Sequence, residues 1–356
     1  MPGVRLSDAV AVLVSDLHLS HDPPRARAGG REAWYLTMEN HLVEVLEAAN
    51  TVTDFPIPLV IAGDVFHSWD QPVELVSWAA GVFDRYPDVP VMAVPGQHDL
   101  PYHSTAEYHR SALYNLEIAA NGSAGRRGSS LSGGSRLFRV LHDRAIRLSS
   151  PTISNTMNGI DKWCLAAGGW GADVVSVVKT LWTDFPGYKT LVVDHKYVHD
   201  GGPTAHAGAS FGSSVGTVVE SVLEYADAVL YGDNHHPFIR HLGPTTPPTA
   251  VYNHGCLIRR TTKEREVIPE YGILLNSADV LRVVLLAAAG DVWADGKTEY
   301  APPDKPAAAD ITGLAAAVRE LTEERAVDFR AAVNLLIGDA RLSARAKREI
   351  LDLLDH

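Results

Sequence analysis

The residues best suited to chemistry in this chain come in five short clusters of Asp, His, Gly and amide side chains. They read Ser15-Asp16-Leu17-His18, Gly63-Asp64-Val65-Phe66-His67, Gly96-Gln97-His98-Asp99, Asp194-His195 and Gly232-Asp233-Asn234-His235. Carboxylates, imidazoles and a carboxamide oxygen are the donors that divalent cations take from proteins. Two cations about 3.5–4 Å apart need roughly seven such ligands and one bridging carboxylate. Asp16, His18, Asp64, Gln97, His195, Asp233 and His235 supply that number. Asp16 and His18 are two apart, as are Asp233 and His235, so on continuing extended backbone each pair would face one side.

Each cluster follows a short apolar run: Val10–Val14, Leu59–Ala62, Val91–Val94, Leu191–Val193 and Ala228–Tyr231. Such runs read as strands buried on both faces. Helix-like stretches, Ala33–Ala49 and Pro72–Arg85, separate the first three, and the alternation predicts a layered α/β domain. Ligands in such sheets bind beyond the carboxyl ends of the strands, so the clusters should converge on one edge of the sheet. Asn121–Ser135, with five Gly and five Ser, predicts a flexible loop, and Gly243–Thr249, with three Pro, another. Tyr271–Asn276 and Val280–Leu286 predict a closing hairpin. The expected organisation is a catalytic domain over 1–288, a linker over 289–309 and a small helical appendage over 310–356. In the appendage Ile311, Leu314, Val318 and Leu321 have helical spacing.

Order and spacing together are recognisable. Asp16-x-His18, Gly63-Asp64, Gly96-Gln97-His98-Asp99, His195 and Gly232-x-x-His235 resemble the motifs of calcineurin-like metallophosphoesterases, over roughly Val10 to Arg260. Gly63-Asp64-Val65-Phe66-His67, with Pro72 following, looks like the DNA-repair branch of Mre11/SbcD-type nucleases. Similar chains with Gly-Gln-His-Asp-Leu-Pro and Gly-Asp-x-His occur in bacteriophage genomes. The resemblance implies a layered metallophosphoesterase fold of β-sheets flanked by helices, with the metals at the carboxyl ends of strands. It also implies one metal on Asp16, His18, Asp64 and His235, and a second on Asp64, Gln97, His195 and Asp233, with Asp64 bridging. His98 corresponds to the family's catalytic histidine, and Asp99 would orient its ring. The family usually has Asn at the position of Gln97 and His at that of Asp233. The extra carboxylate favours Mn²⁺, with Mg²⁺ or another divalent ion as the alternative.

The implied reaction is hydrolysis of phosphodiesters, with DNA as the substrate. Arg25, Arg27 and Arg31 after the first motif, and Arg259, Arg260, Lys263 and Arg265 after the last core strand, are candidates to grip a phosphate backbone. His67, Asn253 and His254 are further candidates for touching substrate. The net charge of −12 argues against broad nucleic-acid binding and favours the alternative, a phosphodiesterase or nucleotidase acting on small molecules such as cyclic nucleotides. A catalytically dead scaffold for partner binding is the alternative of another class; the persistence of His98 and a full ligand set argues against it. The chain has no Walker A motif, so ATP coupling would require a separate SbcC/Rad50-like ATPase partner. Two cysteines without a CxxC pair, and no signal peptide or long apolar run, predict a cytoplasmic protein without membrane contact. That cytoplasm is bacterial, or the host's if the chain is phage-encoded.

Overall fold

The structure is a computed structural model that describes residues 8–124, 138–148, 162–201, 205, 210–243 and 248–294. The expected appendage, most of the expected linker and most of the Gly/Ser-rich loop lie outside the described residues.

Two six-stranded mixed sheets lie face to face, with helices on both outer sides. The first has strand order β12-β11-β1-β2-β3-β4 and contains β1 (Ala9–Val14), β2 (Leu59–Ala62), β3 (Val91–Val94), β4 (Phe138–Val140), β11 (Glu270–Leu275) and β12 (Val280–Val284). The second has order β5-β6-β7-β8-β10-β9 and contains β5 (Arg144–Leu148), β6 (Trp163–Ala167), β7 (Lys189–His195), β8 (Ala228–Gly232), β9 (Phe238–Leu242) and β10 (Thr249–Asn253). β1, β2 and β3 are mutually parallel, as are β6, β7 and β8. The expected hairpin is β11 and β12, and β11 closes back antiparallel on β1.

Alternation along the strands builds the layers. Val12 and Val14 of β1 face the helices, while Leu13 faces the second sheet, and all three are fully buried. Each such side chain contributes about 1.5–3 kcal/mol when withdrawn from water. α1 (Gly30–Thr51) covers the first sheet with Trp34, Met38, Leu42, Val45, Leu46 and Ala49, an i, i+4, i+8 stripe. α2 (Val73–Asp84), opened by Pro72, adds Leu75, Val76, Ala79 and Phe83. α3 (Ala112–Ala124) completes that side, and α4 (Val174–Asp184) packs on the second sheet through Val174, Val178 and Leu181.

The convergence expected at the edge of one sheet is therefore shared between two. β1, β2 and β3 deliver three of the clusters and β7 and β8 the other two, with the carboxyl ends of both parallel sets on the same side. The packed body also extends past the expected boundary at 288. Residues 291–294 lie along the first loop, through backbone hydrogen bonds from Ala28 N–H to the Val292 carbonyl and from Ala294 N–H to the Ala26 carbonyl. Both cysteines are free and buried, and no helix among the described residues is long and apolar enough to cross a membrane.

Candidate metal centre

The five clusters meet in the cleft where the two sheets abut. His18 Nε2 and His235 Nε2 are 3.0 Å apart, and Asp16 Oδ1 is 3.9 Å from each. Asp64 Oδ2 lies between two imidazoles, 3.8 Å from His18 Nε2 and 3.5 Å from His195 Nε2. The other oxygen of Asp64 accepts the His98 backbone N–H at 3.0 Å, which turns Oδ2 toward the ring nitrogens. Asp16, His18 and His235 form one group able to hold a cation, and Asp16, Asp64 and His195 form another.

Backbone conformation, more than strand periodicity, aims these side chains. β1 ends at Val14, and the expected extended run through Asp16 and His18 does not occur. Instead Asp16, His18, Asp64 and Asp233 all have left-handed backbone, with φ of 50°, 46°, 49° and 76°. Non-glycine residues adopt this region rarely, and when they do they cluster at functional sites. β1, β2 and β8 thus each end in a left-handed turn that carries a donor into the cleft, whereas His195 is the last residue of β7 itself and Gln97 opens a 3₁₀ turn after β3. Asp16 is then held by the Ser15 hydroxyl at 2.5 Å and the Asp233 backbone N–H at 3.2 Å.

Space is equally tight. Gly63 has φ of 89°, and a Cβ there would lie 2.1 Å from His195 Nδ1. A Cβ on Gly96 would lie 2.1 Å from Asp64 Oδ1. The two glycines are the price of packing the loops so closely that ligands from both sheets touch.

Donor chemistry fits divalent cations. His195 Nδ1 lies 2.7 Å from the Ala62 carbonyl, so it carries a proton, and Nε2 faces the cleft, buried with no hydrogen-bond partner; burial lowers the imidazole, but Asp64 and Asp16 beside it raise it well above its ordinary value. Gln97 Nε2 donates to Asp233 Oδ1 at 2.7 Å, while its buried Oε1 has no partner. An orphaned imidazole nitrogen and an orphaned amide oxygen in one polar cleft are what a cation site requires.

Electrostatics follow from crowding. Burial pushes the Asp16 carboxyl up to about 6, against His195 and His235, which favour its charge. Burial would raise Asp64 too, but His195 and His18 hold it well below the usual carboxylate range. Burial lowers His18 well below an ordinary imidazole. His235 is buried as well, yet its hydrogen bond to Glu264 raises it to about 9.

His98 stands at the mouth, 39% exposed, with Nε2 3.9 Å from Asp64 Oδ2. Its ring stacks on His67 at 5.6 Å and meets His18 edge-on at 5.2 Å. His67 therefore borders the site, and burial, with Arg260 and His98 nearby, lowers it to about 4, so its ring is neutral at pH 7.

Four expectations change. Asp99 does not reach the His98 ring; its buried carboxylate accepts the backbone N–H groups of Val65, Phe66 and Gly96, tying the second and third loops together. Burial and the charge of Asp64 push it up to about 7, against those three N–H groups. Arg27 is buried on Asp291 at 2.7 Å, with its guanidinium 4.7 Å from the Trp293 ring, and cannot grip a phosphate. Arg259 is spent on the same Asp291 and on the Ala288 carbonyl, and Arg260 on the His18 carbonyl and Ser20. Asn253 and His254 are fully buried: Asn253 Oδ1 accepts the Gly255 N–H, and burial lowers His254 to about 3. Arg25 stays exposed on the first loop, and Arg31 is paired with Asp22 at 2.7 Å.

Glu264 escaped the sequence reading. Its one visible signal is Thr261-Thr262-Lys263-Glu264, a capping box that forms around a single 3₁₀ turn. Nothing in that pattern says that the glutamate also reaches a histidine.

A family model described as calcineurin-like phosphoesterase matches residues 10–237. The chain belongs to that family. The matched span begins at the first strand and ends just past His235, so it takes in all five clusters. The family is one of metal-dependent hydrolases, and the cleft described above is its candidate metal site. No curated protein sequence matches the chain. Among solved structures, one described as "Putative 5'-Nucleotidase from Staphylococcus aureus in complex with alpha-ketoglutarate" is similar at 13% identity and a TM-score of 0.42, covering 77% of this chain and 52% of that one. The present chain thus spans about half the length of the Staphylococcus aureus protein. A second solved structure, also 13% identical, has a TM-score of 0.40 and is covered over 98% of its length by 77% of this chain.

Proposed function

We propose that the protein is a two-metal phosphodiesterase, most active with Mn²⁺, whose substrate is DNA, as in Mre11/SbcD-type nucleases. The observation that carries the two-metal reading is Asp64 Oδ2, set between His18 Nε2 and His195 Nε2 at 3.8 and 3.5 Å. A carboxylate so flanked is suited to bridge a cation held by Asp16, His18 and His235 and another held by His195, Gln97 and Asp233. Bound divalent ions supply Lewis-acid polarisation of the phosphoryl group and a water of lowered pKa.

The chain's own residues do the rest. Asp16 and Asp64 place negative charge at the floor of the cleft, fixed by Ser15, the Asp233 N–H and the His98 N–H. Gln97 Oε1 and His195 Nε2 face the cleft without competing partners. His98, at the open side, is placed to hand a proton to the departing oxygen. The neutral ring of His67 stacks against it.

The DNA assignment rests on the resemblance of Gly63–His67 to the nuclease branch and on the position of His67 beside His98. The second reading, a small-molecule phosphodiesterase, is favoured by the internal commitments of Arg27, Arg259 and Arg260, which remove much of the expected backbone grip. Hydrolysis of end-labelled linear DNA and of a chromogenic small diester, each with Mn²⁺ and with His98→Ala as control, separates them. The nuclease reading expects wild type to degrade DNA, with a rate that falls steeply as salt rises. Turnover of the small diester alone would move the substrate to nucleotides, and activity on neither with any divalent ion would end the enzymatic reading.

A further inference from the structure

Glu264 lies beyond the span that the family model matches. Its carboxylate is nonetheless fully engaged. Oε1 is 2.8 Å from His235 Nδ1, and Oε2 accepts the backbone N–H groups of Arg260 at 2.5 Å and Thr261 at 2.9 Å. The side chain is only 10% exposed. The same turn reaches the other histidine of the pair: Arg260 Nη1 donates to the His18 carbonyl at 3.0 Å and to Ser20 Oγ at 2.7 Å. A five-residue turn thus touches both residues whose Nε2 atoms meet at 3.0 Å.

We propose that the Arg260–Glu264 turn is a positioning clamp for His18 and His235, in which Glu264 fixes the His235 tautomer that carries its proton on Nδ1. The inference rests on the two-metal reading above. The allotment of hydrogens follows from the partners. Two backbone N–H groups require an oxygen at Oε2, which leaves Oε1 for the imidazole. A carboxylate can only accept, so His235 Nδ1 must donate. Nε2 is then the nitrogen left to hold an ion, 3.0 Å from His18 Nε2. Carboxylate partners of this kind set ring orientation and basicity at metal sites, and their loss costs about 10–100-fold in metal affinity. Here the carboxylate comes from a turn that follows all five motif clusters in the chain.

Glu264→Gln is the discriminating variant, because it is nearly isosteric. The Arg260 and Thr261 N–H groups retain the amide oxygen, so the amide NH₂ falls opposite His235 Nδ1. A donor there calls for a lone pair on Nδ1, which moves the imidazole proton to Nε2 and blocks it as a ligand. The variant is expected to fold, with a metal-free melting temperature lowered by less than in Glu264→Ala, and in calorimetric titration with Mn²⁺ to lose about 10–100-fold in affinity at one site while the other is unchanged. Glu264→Ala, which also frees the two N–H groups, is expected to lose both affinity and stability. If Glu264→Gln binds two ions as wild type does, the clamp is overturned while the two-metal reading stands. If it loses affinity only in step with metal-free stability, Glu264 is structural and the positioning role is overturned. If wild type itself takes up no divalent ion, the two-metal reading fails and the clamp with it.

Discussion

Gln97 Nε2 donates to Asp233 Oδ1 across 2.7 Å, joining loops from the two different sheets. These are the two positions at which the chain departs from the motif it resembles, where Asn and His are usual. The departures are thus physically coupled: the longer amide reaches the carboxylate, and the bond turns Gln97 Oε1 into the cleft. Gln97→Asn, one methylene shorter, withdraws the amide from Asp233, and Asp233→His removes its acceptor. Each single variant is expected to lose Mn²⁺ affinity at the second site at least about tenfold, and the double variant to recover part of the loss. A coupling energy of about 0.5–3 kcal/mol in the double-mutant cycle is the expected size for groups in contact. Strict additivity would show that the two positions are energetically uncoupled.

His98→Ala is expected to lower kcat by about 10²–10⁴-fold, the usual contribution of a positioned proton donor. Metal content, measured by plasma mass spectrometry, should stay at the wild-type level. His98 Nε2 is 3.9 Å from Asp64 Oδ2, close enough that a fall in metal content would reassign it as a ligand.

Gly63→Ala tests how much the cleft depends on close approach. Its left-handed φ of 89° costs an alanine about 1 kcal/mol. The larger effect is geometric, since the methyl would lie 2.1 Å from His195 Nδ1 and must push the ring off the Ala62 carbonyl. We expect loss of nearly all turnover together with weakened metal binding. Wild-type activity in this variant would mean that His195 is not held where it must be for function.

Asp291 is the acid-sensitive joint of the body. Burial would raise its carboxyl, but hydrogen bonds from Arg27 and His41, and their proximity, hold it well below the ordinary value of 3.8. A depressed native value stabilises the fold above the unfolded pKa, and that contribution is lost as pH falls through the native one. Wild type should therefore lose stability steadily as the pH drops below about 4. Asp291→Asn should be less stable at neutral pH and show a shallower acid slope. Removing one partner of a buried pair costs about 3–5 kcal/mol, because the other charge is stranded. Arg27→Ala should likewise lower the melting temperature without changing the salt dependence of DNA hydrolysis, which is the opposite of a phosphate-gripping role.

Much of this site was legible because each donor cluster directly follows a run of Val, Ile and Leu, and such runs make buried strands almost wherever they occur. β2 and β3 fall at the bounds read from sequence, and α1 and α2 differ by only a few residues at their ends. The division into two sheets was not legible, since parallel strands with helical crossovers look alike in either arrangement. The left-handed turns at Asp16 and His18 were hidden as well: periodicity describes regular backbone, and these residues leave it at Val14. Asp99, Arg27 and Arg260 were misread for one shared reason. Their side chains look like groups for solvent or substrate, and only tertiary structure shows that backbone N–H groups, Asp291 and a histidine carbonyl have claimed them.

The ion pair between Arg27 and Asp291 spans a separation of 264 residues, and β1 finds its antiparallel neighbour only at β11. During synthesis at about 5–20 residues per second, the first loop waits roughly 13–50 s for its counter-charge to be made. Throughout that interval β1 has one free edge, and the guanidinium of Arg27 has no buried acid to meet. A nascent chain in this state exposes the kind of strand edge on which chaperones and aggregation act. A translational pause or premature stop before Asp291 would leave a chain that carries all five donor clusters but lacks the buried counter-charge of Arg27.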